Sequence, residues 1–264
     1  MAKAPAPIES INRALMILDA LSQAGPKGMA LVELSAAVEL NKSTVYRALH
    51  TLRLHNYVAK DEESGRYSLG LGAIILGSDF FDQDNLATML HTSLLNLSHE
   101  LGELVHLGIP AGVEILYVDK VEPARAVQVR SRVGQTISAV SSAMGRAIMA
   151  QRVRTSAQLE PYMTAHSQRV AGSGQKRFDS SYLWKVLEET RERGYSMEIE
   201  ENESGVSCMG VALLRKDKVV GAISVTGLVQ TMTPEYMSEA YAVIRRLLGE
   251  GLPLGLSIPQ PLKG

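Results

Sequence analysis

The sequence predicts an α+β chain in two parts. A helical N-terminal module closed by a small hairpin leads through a linker helix to a larger domain of helices and an antiparallel sheet. Three observations predict this. Between Ile11 and Leu52, apolar residues recur at three- and four-residue spacing, then give way to two short runs around Asp61-Glu62-Glu63-Ser64-Gly65. A second helical period fills residues 86–101. Beyond it, apolar runs of strand length alternate with helical stretches, up to a last helix opened by Pro234. The chain has 264 residues, enough for two domains with cores of their own.

In order, residues 1–7 are rich in Ala and Pro and are expected to be disordered. Ser10 is placed to cap a helix whose apolar stripe is Ile11, Ala14, Leu15, Leu18 and Leu21. Gly25-Pro26 breaks it. Leu31, Leu34 and Ala37 give one stripe to a short helix that Val38-Glu39-Leu40 ends. Asn41 stands where an N-cap belongs, ahead of a second helix at residues 42–55. Val45, Leu49 and Leu52 form its buried stripe, and Lys42, Ser43, Tyr46, Arg47, His50 and Arg53 lie on the other side. Those side chains can donate to phosphates and base edges. A merely solvated helix would show a polar face too. The order of parts favours the first reading: short helix, turn, capped helix, then a hairpin of residues 57–60 and 66–69 with a charged tip. Residues 31–70 therefore read as a winged helix-turn-helix with a recognition helix.

Residues 71–81, with Ile74, Ile75 and Leu76, read as a linker helix. Gly70-Leu71-Gly72 begins a dinucleotide fingerprint, but Ile75 stands where its third glycine should be, which excludes it. Polar residues 79–85 mark a boundary, so the expected division is 1–70, 71–85 and 86–264. In the last part Leu86, Met89, Leu90, Leu94, Leu97 and Leu101 share a helix face. Strands are expected at 103–109, 114–120 and 126–130. Helices follow at 143–152 and 183–193, the latter stopped by Gly194. A hairpin of residues 206–214 and 219–226 precedes the final helix, with Met237, Tyr241, Ile244 and Leu248 inward.

Composition limits the chemistry. One cysteine, Cys208, rules out an intramolecular disulfide and suggests a reducing compartment. No apolar run approaches the roughly 20 residues of a membrane helix. Glu9, Arg13 and Asp19 interrupt anything like a secretory signal, so a cytoplasmic protein is expected. Residues 1–70 carry eight Lys or Arg against seven Asp or Glu, and the remainder carries 19 against 21. Charge alone would bind DNA poorly, so the basic groups must be locally concentrated and two modules presented together.

Three segments of the larger domain could carry chemistry. Ser141-Ser142-Ala143-Met144-Gly145-Arg146 places a serine cap and small residues at a helix start, where open N–H groups and the helix dipole favour an anion. An ordinary capped helix looks the same. Glu198, Glu200, Glu201 and Glu203 could serve acid–base work or a metal, or form a solvated acidic loop. Ser224 and Thr226 share a strand face near Cys208, as the wall of a polar pocket or as plain packing.

Asn41-Lys42-Ser43-Thr44-Val45-Tyr46-Arg47, with Leu49, Leu52 and Gly65-Arg66-Tyr67-Ser68-Leu69-Gly70, resembles the DNA-binding module of the isocitrate-lyase-regulator (IclR) family. The likeness continues through residues 112–119, Ala143-Met144-Gly145-Arg146-Ala147, Arg193-Gly194-Tyr195 with Glu201, Gly205, Val206 and Cys208, and residues 221–227. It spans about residues 8–250 in the family's order. The resemblance implies a ligand-responsive transcriptional regulator with a GAF-like effector-binding domain. Its partners would be a palindromic double-stranded DNA operator, a small organic acid, and a second copy of the chain, often as a dimer of dimers. The implied DNA-contacting residues are Lys42, Ser43, Thr44, Tyr46, Arg47, His50 and Arg66. The implied effector site has the Ala143 and Met144 amides for a carboxylate, Glu198, Cys208, Ser224 and Thr226 as polar wall, and Val129 and Ile137 as apolar wall. No cofactor, metal or membrane contact is implied; some members bind metal, but the six histidines show no ligand spacing. The chain departs from the family at four positions. Glu39 replaces a turn glycine, Met144 and Arg146 replace the usual Ala and Lys, and Glu198 is a methylene longer than the usual Asp.

Two other function classes remain to be weighed. A thiol hydrolase using Cys208 would need a base within reach, and His91, His99, His106 and His166 show no motif with it. No GxSxG, P-loop or HExxH pattern is present. A metabolite-binding module without DNA activity would leave the donor-rich helix face without a use.

Overall fold

The computed structural model describes residues 8–82, 85–123, 131–172, 176–253 and 255–262, and the chain divides into two units, residues 1–85 and 86–264. The expected disorder of residues 1–7, the expected strand at 126–130 and Val129 lie outside the described residues.

The first unit runs α1 (Glu9–Ala24), a single 3₁₀ turn (Gly25–Lys27), α2 (Leu31–Ala37), α3 (Lys42–Leu54), β1 (Val58–Lys60), β2 (Tyr67–Leu69) and α4 (Leu71–Asp82). Its core joins Ile17 and Leu21 of α1, Leu34 and Val38 around α2, Val45, Leu49 and Leu52 of α3, and Val58 and Tyr67 of the hairpin. The start of α1 differs from the sequence expectation: the N-cap is Ile8, without a side-chain cap, and Ser10 lies inside the helix. The buried face differs too. Ile11 and Leu15 are each 54% exposed, because α1 carries apolar residues on two faces and only one meets α2 and α3.

The turn between α2 and α3 takes the strained form that its sequence implied. Glu39 has φ 53°, a left-handed conformation costing a non-glycine residue roughly 1 kcal/mol. Asn41 then caps α3, its Oδ1 accepting the Thr44 N–H and the Ser43 hydroxyl, both at 2.8 Å. At the hairpin tip Asp61 accepts the N–H and hydroxyl of Ser64, each at 2.7 Å, and Gly65 takes φ 69° to reverse the chain.

The second unit runs α5 (Leu86–Leu101), β3 (Leu104–Ala111), β4 (Glu114–Val121), β5 (Thr136–Ser138), α6 (Ala143–Arg152), a 3₁₀ turn (Ser156–Leu159), α7 (Glu160–Arg169), α8 (Ser180–Arg193), β6 (Ser196–Ile199), β7 (Val206–Arg215), β8 (Lys218–Leu228), α9 (Pro234–Gly251) and β9 (Leu256–Ser257). Among the described residues the strands form one antiparallel sheet in the order β5-β4-β3-β8-β7-β6, with β9 also on β7. Helices α5 and α9 cover one face, burying Val105, Leu107, Val211, Ile223 and Val225. Helices α6 and α8 cover the other, over Ile115, Tyr117, Ala212 and Ala222. The β7–β8 reversal uses Lys216 and Asp217, both at positive φ, as a two-residue hairpin turn requires.

Two glycines decide how closely α6 approaches the sheet. A Cβ at Gly210 would lie 2.5 Å from the Ala143 carbonyl oxygen, and one at Gly108 would lie 3.0 Å from Met144 Sδ. The start of α6 therefore rests directly on β7 and β3, with its first residues buried.

Candidate functional site

The first candidate surface is the outer face of α3. Lys42, Ser43, Tyr46, Arg47 and His50 are exposed there, while Thr44 is half-buried with its N–H taken by the Asn41 cap. Arg66 does not join them. Its Nε donates to the Lys27 carbonyl (3.1 Å), and its terminal nitrogens donate to the Gly28 carbonyl (3.0 Å) and the Glu33 carboxylate (2.7 and 3.3 Å). The guanidinium straps the hairpin to α2, using acceptors 33 to 39 residues away. The Glu33 carboxyl is held below its ordinary range, first by the Ala30 N–H and then by Arg66.

Beside this face lies a groove of about 810 Å³ between α1 and α3. Ile11, Leu15, Leu18, Leu52, Tyr57 and Leu76 give it apolar walls. Leu71, Ile74 and Leu76 of α4 are about two-thirds exposed.

The second candidate is the sheet face in front of α6. Ser142 caps α6, accepting the Gly145 N–H at 3.1 Å. No acceptor among the described residues reaches the Ala143 and Met144 N–H groups, which leaves two buried donors open at the helix start. Two cross-strand rows face them. Glu198, Cys208 and Thr226 pair across β6, β7 and β8; Ser196, Gly210, Ser224 and His106 pair across β6, β7, β8 and β3. Side chains at these alternate positions share one face. The structure thus brings Ala143, Met144, Glu198, Cys208, Ser224 and Thr226 together. Ile137, on the edge strand β5 opposite Ile115, packs against the cluster that includes Met144. Val129 is outside the described residues.

Glu198 holds its own loop. Its Oε1 accepts the N–H of Glu201 (2.5 Å) and of Asn202 (3.0 Å). Burial raises its pKa, against the pull of those hydrogen bonds and of Arg146. The Cys208 thiol is pushed well up, by burial first and the Glu198 charge next, and accepts a hydrogen bond from Thr226 Oγ1 at 3.2 Å. A thiol held protonated, with no histidine among its hydrogen-bond partners in the described residues, is not set up as a nucleophile.

Sequence reasoning did not assign the groups that frame this face. Arg146 is 1% exposed; its Nε donates to the Val140 carbonyl (2.9 Å), and Nη1 donates to the Met197 carbonyl (3.0 Å) and lies 2.5 Å from Glu201 Oε2. Glu201 also accepts from Lys176 (2.9 Å) and the Tyr182 hydroxyl (2.7 Å). The nearby His166 links Ser138 Oγ (2.8 Å) to the Lys176 carbonyl (3.0 Å). The cluster of glutamates was the one visible signal: Glu201 belongs to a buried ion-pair network, Glu198 holds loop amides, and Glu200 is exposed. Among the described residues, no group of three or more His, Cys, Asp or Glu could hold a metal, and no helix is long and apolar enough to cross a membrane.

Comparison with known proteins adds to this geometry. Residues 10–62 match the family profile described as the IclR helix-turn-helix domain, and residues 79–247 match the bacterial transcriptional regulator IclR C-terminal profile. The chain is 30% identical over 253 residues to the HTH-type transcriptional regulator XynR of Escherichia coli (strain K12), covering 92% of this chain and 98% of that protein. It is 26% identical over 249 residues to the transcriptional repressor IclR of the same organism, covering 92% and 89%. The crystal structure of the Thermotoga maritima IclR aligns with a TM-score of 0.70 at 26% identity, over 92% of this chain and 96% of that one.

Proposed function

Because this chain belongs to the IclR family of bacterial transcriptional regulators, we propose that it binds a palindromic operator through paired α3 helices and senses a small organic acid at the start of α6. The working division is residues 1–70 for DNA, 71–85 for the linker and 86–264, as a GAF-like domain, for the effector and further assembly. The observation that carries the proposal is the pair of buried, open N–H groups at Ala143 and Met144, facing a polar sheet within a chain whose other unit exposes a donor-lined helix.

On α3, Lys42 and Ser43 take phosphate oxygens, while Tyr46, Arg47 and His50 reach base edges from the middle of the helix. Thr44 positions the helix start through the cap. The β1–β2 hairpin is the wing, braced by Arg66. A second copy of the chain covers the exposed apolar surface of α1 and α4, including Ile11, Leu15, Leu71 and Ile74, at a site where water would otherwise meet a broad apolar face. The resulting two-fold symmetry presents two α3 helices to half-sites separated by about one helical turn, roughly 34 Å, or a multiple of it. Two such dimers then pair through the larger domains.

In the effector site the ligand carboxylate takes the Ala143 and Met144 N–H groups, aided by the helix dipole. The hydroxyls of Ser224 and Thr226, beside the Glu198 carboxylate, meet the ligand's other polar group. The effector acts through its different affinities for the operator-competent and incompetent arrangements of the dimer. A thermal-shift screen of small carboxylic acids tests this. A native-state ligand at 100 times its Kd stabilises by about 2.7 kcal/mol, a rise of several degrees. A screen in which neutral amides or amines stabilise the protein and acids do not overturns the proposal.

A further inference from the structure

We propose that His106 is a specificity-determining residue of this effector site, its Nδ1 hydrogen-bonding the hydroxyl of a small monocarboxylic hydroxy acid whose carboxylate rests on the Ala143 and Met144 amides. The inference rests on the effector site proposed above and names the class of its ligand.

His106 stands on β3 directly across from Ser224, on the face that carries Thr226 and Cys208. Cβ atoms so paired lie about 4.5–5.5 Å apart, so His106 and Ser224 are within reach of one small group. The imidazole is 2% exposed. Its Nε2 is held by Ser131 Oγ at 2.7 Å, and its ring lies against Tyr117 with centroids 4.9 Å apart at 41°. Nδ1 has no hydrogen-bond partner among the described residues. A buried polar atom left unpaired is costly, and nearly all such atoms in folded proteins have a partner. With Nε2 and the ring both fixed, the imidazole cannot turn to find one. Nδ1 is left for a group from outside the described residues, and the group proposed here is a bound ligand.

The surrounding charges decide what that partner is. Burial, helped by the Lys120 charge, lowers the His106 pKa to about 3, so the ring is neutral. It cannot compete with the helix amides for the carboxylate. Lys120 is occupied by the Ser131 carbonyl at 3.1 Å and by Glu122 at 2.5 Å. A second carboxylate at this end would meet the electron-rich face of Tyr117 without a free cation to neutralise it. A neutral imidazole offers Nδ1 as donor or acceptor according to the proton it shares with Ser131. A hydroxyl satisfies either form, and it donates to or accepts from Ser224 as well.

Calorimetry on the full-length protein tests the inference with matched probes: 4-hydroxybenzoate against benzoate, and 3-hydroxypropionate against propionate. In the wild type the hydroxy acid of at least one pair binds about tenfold tighter than its parent acid, the worth of one buried hydrogen bond. His106→Asn places an amide where Nδ1 stands and keeps the preference. His106→Gln places its amide where Nε2 stands, keeps the Ser131 contact, and loses the preference. A role confined to Ser131 gives the reverse, with the preference kept by Gln and lost by Asn, and overturns the inference while leaving the effector site intact. Should the variants fail to fold, wild-type protein with ¹⁵N-labelled imidazoles decides. One Nδ1 resonance shifts with the hydroxy acid and not with its parent; equal spectra overturn the inference. If no acid of either pair binds the wild type, the acid-sensing reading itself falls and this inference with it.

Discussion

Replacing Arg146 by methionine tests what holds the start of α6 in place. The guanidinium is buried against three acceptors: the Val140 carbonyl, the Met197 carbonyl and Glu201. It also lies over the Phe178 ring, 5.4 Å from its centroid. Removing one partner of a buried ion pair costs about 3–5 kcal/mol, because the other charge stays buried. Glu201 keeps Lys176 and Tyr182, which draws the figure to the low end, while two carbonyls that lose their donors add about 1 kcal/mol each. Methionine restores some of the apolar contact. The expected loss is about 3–5 kcal/mol, or on the order of 10 °C in Tm for a domain of this size. Arg146→Lys, the usual family residue, should lose less, because one ammonium keeps the charge but cannot reach all three acceptors at once. Urea unfolding followed through Trp184, the sequence's one tryptophan and part of α8, reports on the relevant domain. Burial pushes the Glu201 carboxyl up, but the Arg146 charge and the Lys176 and Tyr182 hydrogen bonds outweigh it and hold it below its ordinary 4.5. A depressed carboxyl contributes stability above its unfolded pKa and loses it as pH falls through the folded value. The deficit of Arg146→Met should therefore be greatest near neutral pH and narrow in acid. A variant within 1 kcal/mol of wild type, or a deficit independent of pH, refutes the ion-pair account.

Three further outcomes are expected. Arg47→Ala should weaken operator binding by about 1–3 kcal/mol in a gel-shift titration without changing the melting temperature, whereas Arg66→Ala should lower the melting temperature of the N-terminal unit; the opposite pattern would exchange their roles. Glu39→Gly should raise stability by up to about 1 kcal/mol in urea by removing a left-handed strain, while Glu39→Val should lower it, and a less stable glycine variant would deny the strain. Cys208→Ser should leave operator affinity unchanged and shift the effector concentration needed for a response; a hydrolytic activity that disappears with the thiol would point instead to an enzyme.

Local signals were legible in the sequence. The Asn41 cap, the apolar stripe of Leu86–Leu101, the helix starting at Ala143 and the stop at Gly194 all depend on a few adjacent residues, and each stands where its chemistry predicts. Distant contacts were not legible. Strand β6 hid among glutamates because its inward residues, Ser196 and Glu198, are polar, and they can be buried only because Ala143 O and the Glu201 and Asn202 amides meet them. Helix α7 has a polar sequence whose buried His166 is satisfied by Ser138 and Lys176 from other segments. The tie of Arg66 to the α2 side was hidden because its carbonyl acceptors belong to the distant Lys27 and Gly28. Ile11 and Leu15 looked like core because an exposed apolar face has the same spacing as a buried one. In the candidate site the Ala143 and Met144 amides could be read from the serine cap, whereas His106 could be found only when the sheet register set it beside Ser224.

The central claim is that an acid held at the start of α6 changes how α3 binds DNA. The direct measurement selects a high-affinity operator from random-sequence DNA, then follows its binding by fluorescence anisotropy with the best acid from the thermal-shift screen and with that acid's methyl ester. The acid should change the operator Kd by at least about fivefold, within the usual range of coupling between two sites. Operator DNA should change the acid's Kd by the same factor, and the ester, which cannot present an anion to the Ala143 and Met144 amides, should do neither. An acid that binds tightly while the operator Kd stays fixed, or an ester that works as well as the acid, would contradict the claim.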